Sequence, residues 1–93
     1  MGDTSLTDPG SLAASVFPAT QNLLLAAHAL GLGSLMSTLA TVRGPELAAL
    51  LELPEHLRPM AVVPIGHPAR ALRAPRRTPV AEKAFRDRYG TRW

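Results

Sequence analysis

The chain has 93 residues, 46% of them hydrophobic, and a formal net charge of +3. This length fits one small domain near the lower limit for a self-sufficient core, and so apolar a composition excludes an intrinsically disordered chain. The absence of cysteine excludes a disulfide framework and a thiolate metal site, and suits a reducing cytoplasm.

The charge is unevenly placed. Residues 1–53 carry four acids and one base, whereas residues 54–93 carry nine bases and three acids. A basic C-terminal half is suited to phosphate, whether of a cofactor, a nucleic acid or a lipid headgroup.

In chain order, Met1–Ser11 is polar and rich in Gly, Asp, Ser and Thr, and reads as a flexible lead-in to a domain over residues 12–93. Pro18 is expected to begin the first element, a helix over Ala19–Leu30. Leu23, Ala26, Ala27 and Leu30 follow the i, i+3, i+4, i+7 stripe, and Leu24, Leu25 and Ala29 make the other faces apolar too. A helix apolar all round needs cover on most sides, which predicts a partner surface from outside this chain or from a second copy. The strongly apolar run Leu23–Leu32 is shorter than the ~20 residues that span a bilayer. The N-terminus also lacks a basic leader, so the chain reads as soluble and cytoplasmic, with no membrane partner.

Gly31 and Gly33 are expected to end this helix, because glycine tolerates the left-handed cap conformation. They follow a helix rather than precede one, so Gly31-Leu32-Gly33-Ser34 is not a dinucleotide fingerprint. A second helix is expected from Pro45, with Glu46 in its first turn and Leu47, Leu50 and Leu51 as its stripe, stopped by Pro54. Met60–Ile65 reads as one short strand, weakened by Pro64, which cannot donate to a ladder and belongs at an edge or strand end. One strand cannot make a sheet, so either strands are borrowed from elsewhere or the strand reading fails. Pro68–Arg77 reads as an extended basic linker. Thr78 is placed to cap a last helix with Pro79 first and Val80, Ala84 and Phe85 apolar.

The histidines are scattered, and no spacing suits a metal. His28 reads as a partly buried helix residue near Gln21. Glu52, Glu55 and Glu82 show no pairing that argues for acid–base work, and no nucleophile–base constellation stands out.

Three segments in fixed order carry a resemblance: FPATQNLLLAAHALGLGSLMSTL, VVPIGHP and PRRTPV. Together they resemble the C-terminal half of the FMN-dependent nitroreductase family. The resemblance implies a partial α+β nitroreductase-like fold, with a central buried helix, a second helix, one short strand and a basic C-terminal segment. It implies that Leu35, Met36, Ser37 and Thr38 meet the flavin ring, where main-chain N–H groups tune its electronics. It places Arg77, and secondarily Arg76, on the FMN phosphate, where a guanidinium fork binds two oxygens at once. Arg70, Arg73, Arg86, Arg88 and Arg92 read instead as solvated basic positions.

A family member of this kind is expected to be a homodimer that passes electrons from NAD(P)H through FMN to a small nitroaromatic or quinone-type acceptor. The family's N-terminal phosphate- and ribityl-binding segment has no counterpart in these residues, so the chain is expected to be incomplete as an oxidoreductase. The alternative is a non-catalytic truncated homologue that folds with a complementary chain. A small basic module that binds phosphate or nucleic acid ranks last, for want of a recognition helix and of aromatic residues.

Overall fold

A computed structural model describes residues 2–3 and 8–93. The first long element is helix α1, Pro9–Ala29. Its start is set by Asp8, whose Oδ1 accepts the N–H groups of Gly10 and Ser11 at 2.9 and 3.1 Å. The Ser11 hydroxyl donates to Asp8 Oδ2 at 2.6 Å, and Pro9 occupies the first helical position, where its missing N–H costs nothing. The helix therefore begins nine residues before Pro18, the start expected from the sequence, and Pro9–Ser11 of the expected lead-in are helical. Residues 1 and 4–7 of that lead-in lie outside the described residues.

The Ser11 hydroxyl, followed by the main-chain N–H groups, holds the Asp8 carboxyl below its ordinary range. A depressed acid contributes stability above its unfolded pKa, about 4, and loses it as pH falls through the lower folded value. Asp8→Ala should lower the thermal midpoint at neutral pH. The two proteins should converge as the buffer is acidified below the carboxylate range, which melts at stepped pH would check.

Pro18 lies inside α1. Near it the Thr20 hydroxyl donates to the Val16 carbonyl at 2.9 Å, one turn back. The helix is apolar on every face but poorly covered by its own chain. Leu12 and Ala27 are its buried residues, while Leu23 and Leu25 remain 44% and 58% exposed. His28, expected to be partly buried, is exposed in the last turn. Among the described residues no helix is long and apolar enough to cross a membrane.

The rest of the chain forms small pieces around α1. Strand β1 (Gly2–Asp3) pairs antiparallel with β3 (Leu57–Arg58), and β2 (Gly33–Ser34) pairs antiparallel with β4 (Ile65–Gly66). A 3₁₀ turn over Leu39–Arg43 leads directly into helix α2, Gly44–Leu50, with Pro45 in its first turn as expected. Both α1 and α2 pack on these strands, α1 against β1 and β2 and α2 against β3. The architecture is α+β.

The expected strand Met60–Ile65 is corrected in two ways. Only Val62 and Ile65–Gly66 pair, and their partner is the chain's own Gly33–Ser37 segment rather than a borrowed strand. Gly33 faces Gly66, Ser34 faces Ile65 and Ser37 faces Val62 in one unbroken register. Continued through the gap, that register sets Leu35 against Pro64, at a position where an antiparallel ladder calls for mutual N–H···O bonds. Proline has no N–H to give, and the ladder is interrupted there.

Beyond His67 the chain runs to Pro79 without helix or strand, bending at Ala69–Arg70. The expected last helix is a single 3₁₀ turn, Val80–Glu82, without a side-chain cap from Thr78. Left-handed backbone at Asp87 (φ 62°) and Gly90 (φ 88°) turns the remainder back on itself.

The result is an open molecule. Leu12, Ala27 and Met60 are the buried hydrophobic residues among those described. The Cα radius of gyration is 17.6 Å, against about 12 Å for a compact domain of this length. The accessible surface is 7794 Å², against about 5200 Å² for a folded monomer of this mass.

Candidate functional site

The candidate site begins where α1 stops. Leu30 caps the helix, its N–H donating to the Ala26 and Ala27 carbonyls at 3.1 Å, and Gly31 follows at φ 78°. The Leu32 N–H then returns to the Ala27 carbonyl at 2.9 Å. This left-handed residue aims the chain into β2 instead of onward along the helix. A Cβ on Gly31 would meet nothing within 4 Å, so its requirement is purely one of backbone. Gly31→Ala should cost about 1 kcal/mol and Gly31→Asn less, readable as shifts of the urea midpoint. Gly33 is required by close approach, since a Cβ there would lie 3.2 Å from Pro68 Cβ.

The loop Leu35–Thr38 is fixed at its far side. The Ser37 N–H donates to the Val62 carbonyl at 2.9 Å and the Val62 N–H to the Ser37 carbonyl at 2.8 Å. The Ser37 main chain is thus fully engaged, and its Oγ accepts the Leu39 N–H at 3.3 Å. Thr38 turns the chain into the 3₁₀ segment through its carbonyl, which accepts the Thr41 N–H at 3.0 Å. Among the described residues the Met36 N–H has no partner. Met36 and Leu35 side chains are 42% and 56% exposed. The loop therefore offers the Met36 and Thr38 N–H groups, neither with a partner among the described residues, two hydroxyls and two exposed apolar side chains on a segment pinned at both ends.

Next to it lies a cavity of ≈ 630 Å³ between the first half of α1, α2 and the segment after β3. Ala13, Phe17, Ala48 and Met60 give it apolar walls, and Thr38, Thr41 and Arg58 supply its side-chain polar groups. Of the residues expected at the flavin, Thr38 reaches this cavity, whereas Leu35, Met36 and Ser37 do not line it. Thr41 and Arg58 were not singled out in the sequence, where nothing in their spacing joins them to Thr38. The fold brings them together through β3 and the 3₁₀ turn.

Arg76 and Arg77 sit on the exposed segment after β4. Among the described residues neither makes a hydrogen bond or an ion pair, and none links them to the loop. Their guanidinium groups are uncommitted.

The family model for the nitroreductase family matches residues 3–67. The chain belongs to the nitroreductase family. The match spans α1, the Leu35–Thr38 loop and its Val62 anchor, and it ends before Arg76 and Arg77. A protein of Methanothermobacter thermautotrophicus, provisionally named as an NADH dehydrogenase/NAD(P)H nitroreductase, is 40% identical over 70 residues. The aligned part is 72% of this chain and 37% of that relative. The chain thus spans well under half the length of the nitroreductase-family protein it matches.

Proposed function

We propose that this chain supplies the flavin loop and a phosphate-contacting arm of an FMN-dependent NAD(P)H oxidoreductase of the cytoplasm. Leu35, Met36, Ser37 and Thr38 lie along the flavin ring, and Arg77 with Arg76 holds its phosphate. When bound, FMN supplies the redox chemistry, carrying electrons from NAD(P)H to a nitroaromatic or quinone-type acceptor.

The chain's own residues then bind and orient. The observation that carries the reading is the unpartnered Met36 N–H in a loop held by the Ser37–Val62 pair. Among the described residues this donor has no partner, and it suits a heteroaromatic nitrogen or carbonyl oxygen. The Ser37 N–H is not available for that task, because Val62 holds it, so Ser37 acts through its hydroxyl. The Thr38 hydroxyl adds a second adjustable donor. Leu35 and Met36 bring apolar surface to a flat ring and displace water from it. Arg76 and Arg77, free of carboxylates among the described residues, meet phosphate without first breaking an ion pair.

A second chain completes the site. The exposed Leu23 and Leu25 on an apolar helix, and the large accessible surface of the isolated chain, support a homodimer or a complementary chain as the partner. The alternative, a non-catalytic homologue, keeps the same loop but binds no flavin. Titration of FMN with the purified chain, followed by flavin fluorescence, separates the two. Saturable quenching supports the flavin reading, and unchanged emission in the presence of folded chain refutes a site formed by this chain alone or by its homodimer.

A further inference from the structure

The C-terminal arm carries a surface for which the flavin reading has no use. From Arg70 to the C-terminus there are eight cations and two acids. Among the described residues none of the eight makes an ion pair with a carboxylate. Arg92 is spent internally. Its Nη1 donates to the Ala81 carbonyl at 2.9 Å, and its guanidinium lies 5.0 Å from the Phe85 ring centroid.

That contact closes residues 80–92 into a small self-contained fold. Phe85 and Tyr89 pack edge to face at 4.7 Å and 62°, and the Arg86 N–H donates to the Thr91 carbonyl at 2.8 Å. Tyr89 and Trp93 are 93% and 78% exposed, in a segment that also carries the exposed Arg86 and Arg88. Exposed rings and unpaired cations in one basic segment match a ligand made of flat π faces joined by phosphates.

We propose that this arm binds single-stranded nucleic acid. Arg70, Arg73, Arg86 and Arg88 take phosphates, and Tyr89 and Trp93 stack on bases. The arm has no helix beyond one 3₁₀ turn, so it lacks the amphipathic helix that would seat it in a lipid interface. The structure thereby raises a reading that the sequence placed last, because it leaves two of the chain's four aromatic residues exposed in this basic arm.

Trp93 is the chain's single tryptophan, so its emission reports this contact directly. Titrating the full chain with an oligothymidylate of about 12 nucleotides should quench that emission saturably. Four phosphate contacts should make the affinity fall roughly 50-fold between about 50 and 200 mM salt. Tyr89→Leu should weaken binding roughly tenfold with the salt slope kept. Replacing Arg86 and Arg88 by Gln together should reduce that slope by about half. Circular dichroism of each variant should retain the α1 signal. Inorganic polyphosphate should bind more weakly and leave Trp93 emission unchanged. Absent quenching by the oligonucleotide, or equal affinity for polyphosphate, overturns the proposal. So does a blue shift on phosphatidylserine vesicles without any response to the oligonucleotide, which would assign the arm to a membrane surface instead. None of the four arginines belongs to the flavin reading, so each proposal can fail alone.

Discussion

Replacing Arg77 by Ala is expected to weaken FMN binding about tenfold or more, the size of one charge-assisted hydrogen-bonded contact. Arg77 carries this expectation because its guanidinium has no carboxylate, carbonyl or ring partner among the described residues, so removing it leaves no orphaned group in the free protein. The loss falls on the complex. Arg77→Lys should recover part of the affinity by keeping the charge without the planar fork, and Arg70→Ala should leave it within twofold. The family match ends at residue 67, which makes this substitution the direct check on the phosphate assignment. Fluorescence titrations of the four proteins give the answer, and an unaltered Arg77→Ala affinity would remove Arg77 and Arg76 from the site.

Pro18→Ala should stabilise the chain by about 1–3 kcal/mol. Pro18 stands well inside α1, where its ring excludes the N–H that would reach the Ala14 carbonyl one turn back and crowds that carbonyl. It is exposed, so truncating it removes little packing, while alanine restores the hydrogen bond and the best helix propensity. A chain with so little buried surface depends heavily on the integrity of its one long helix. Thermal melts followed by far-UV circular dichroism should move upward. A downward shift would mean that the Pro18 ring is part of a contact made only in an assembly.

The resemblance carried the family and the α+β class, and local chemistry carried several boundaries. Proline at the start of α2 and glycine at the end of α1 both follow from backbone rules that act within a few residues. The start of α1 was not legible in the same way. Asp8-Pro9-Gly10 can form a turn or a helix cap, and what decides is the reach of the Asp8 carboxylate to two N–H groups and a hydroxyl. Pro18 then drew the boundary to the wrong proline. The β2–β4 pair was missed because two-residue strands of Gly, Ser and Ile carry no alternation to detect. The last helix failed because one 3₁₀ turn is followed by left-handed backbone at Asp87 and Gly90, which propensity does not announce.

Within the candidate site, the loop could be located from the helix end that precedes it. Which of its N–H groups is free could not, because the Val62 partner of Ser37 arrives from a distant segment. The grouping of Thr38, Thr41 and Arg58 around one cavity is likewise a product of tertiary placement.

On the proposed function, these residues form part of a flavin site that closes only with a second chain. Sedimentation of the chain with FMN, followed at the flavin's visible absorbance, tests it most directly. The expected result is flavin travelling with a species heavier than one chain, and returning to the free-flavin boundary when dilution dissociates that species. Flavin that sediments with a single chain would contradict the account.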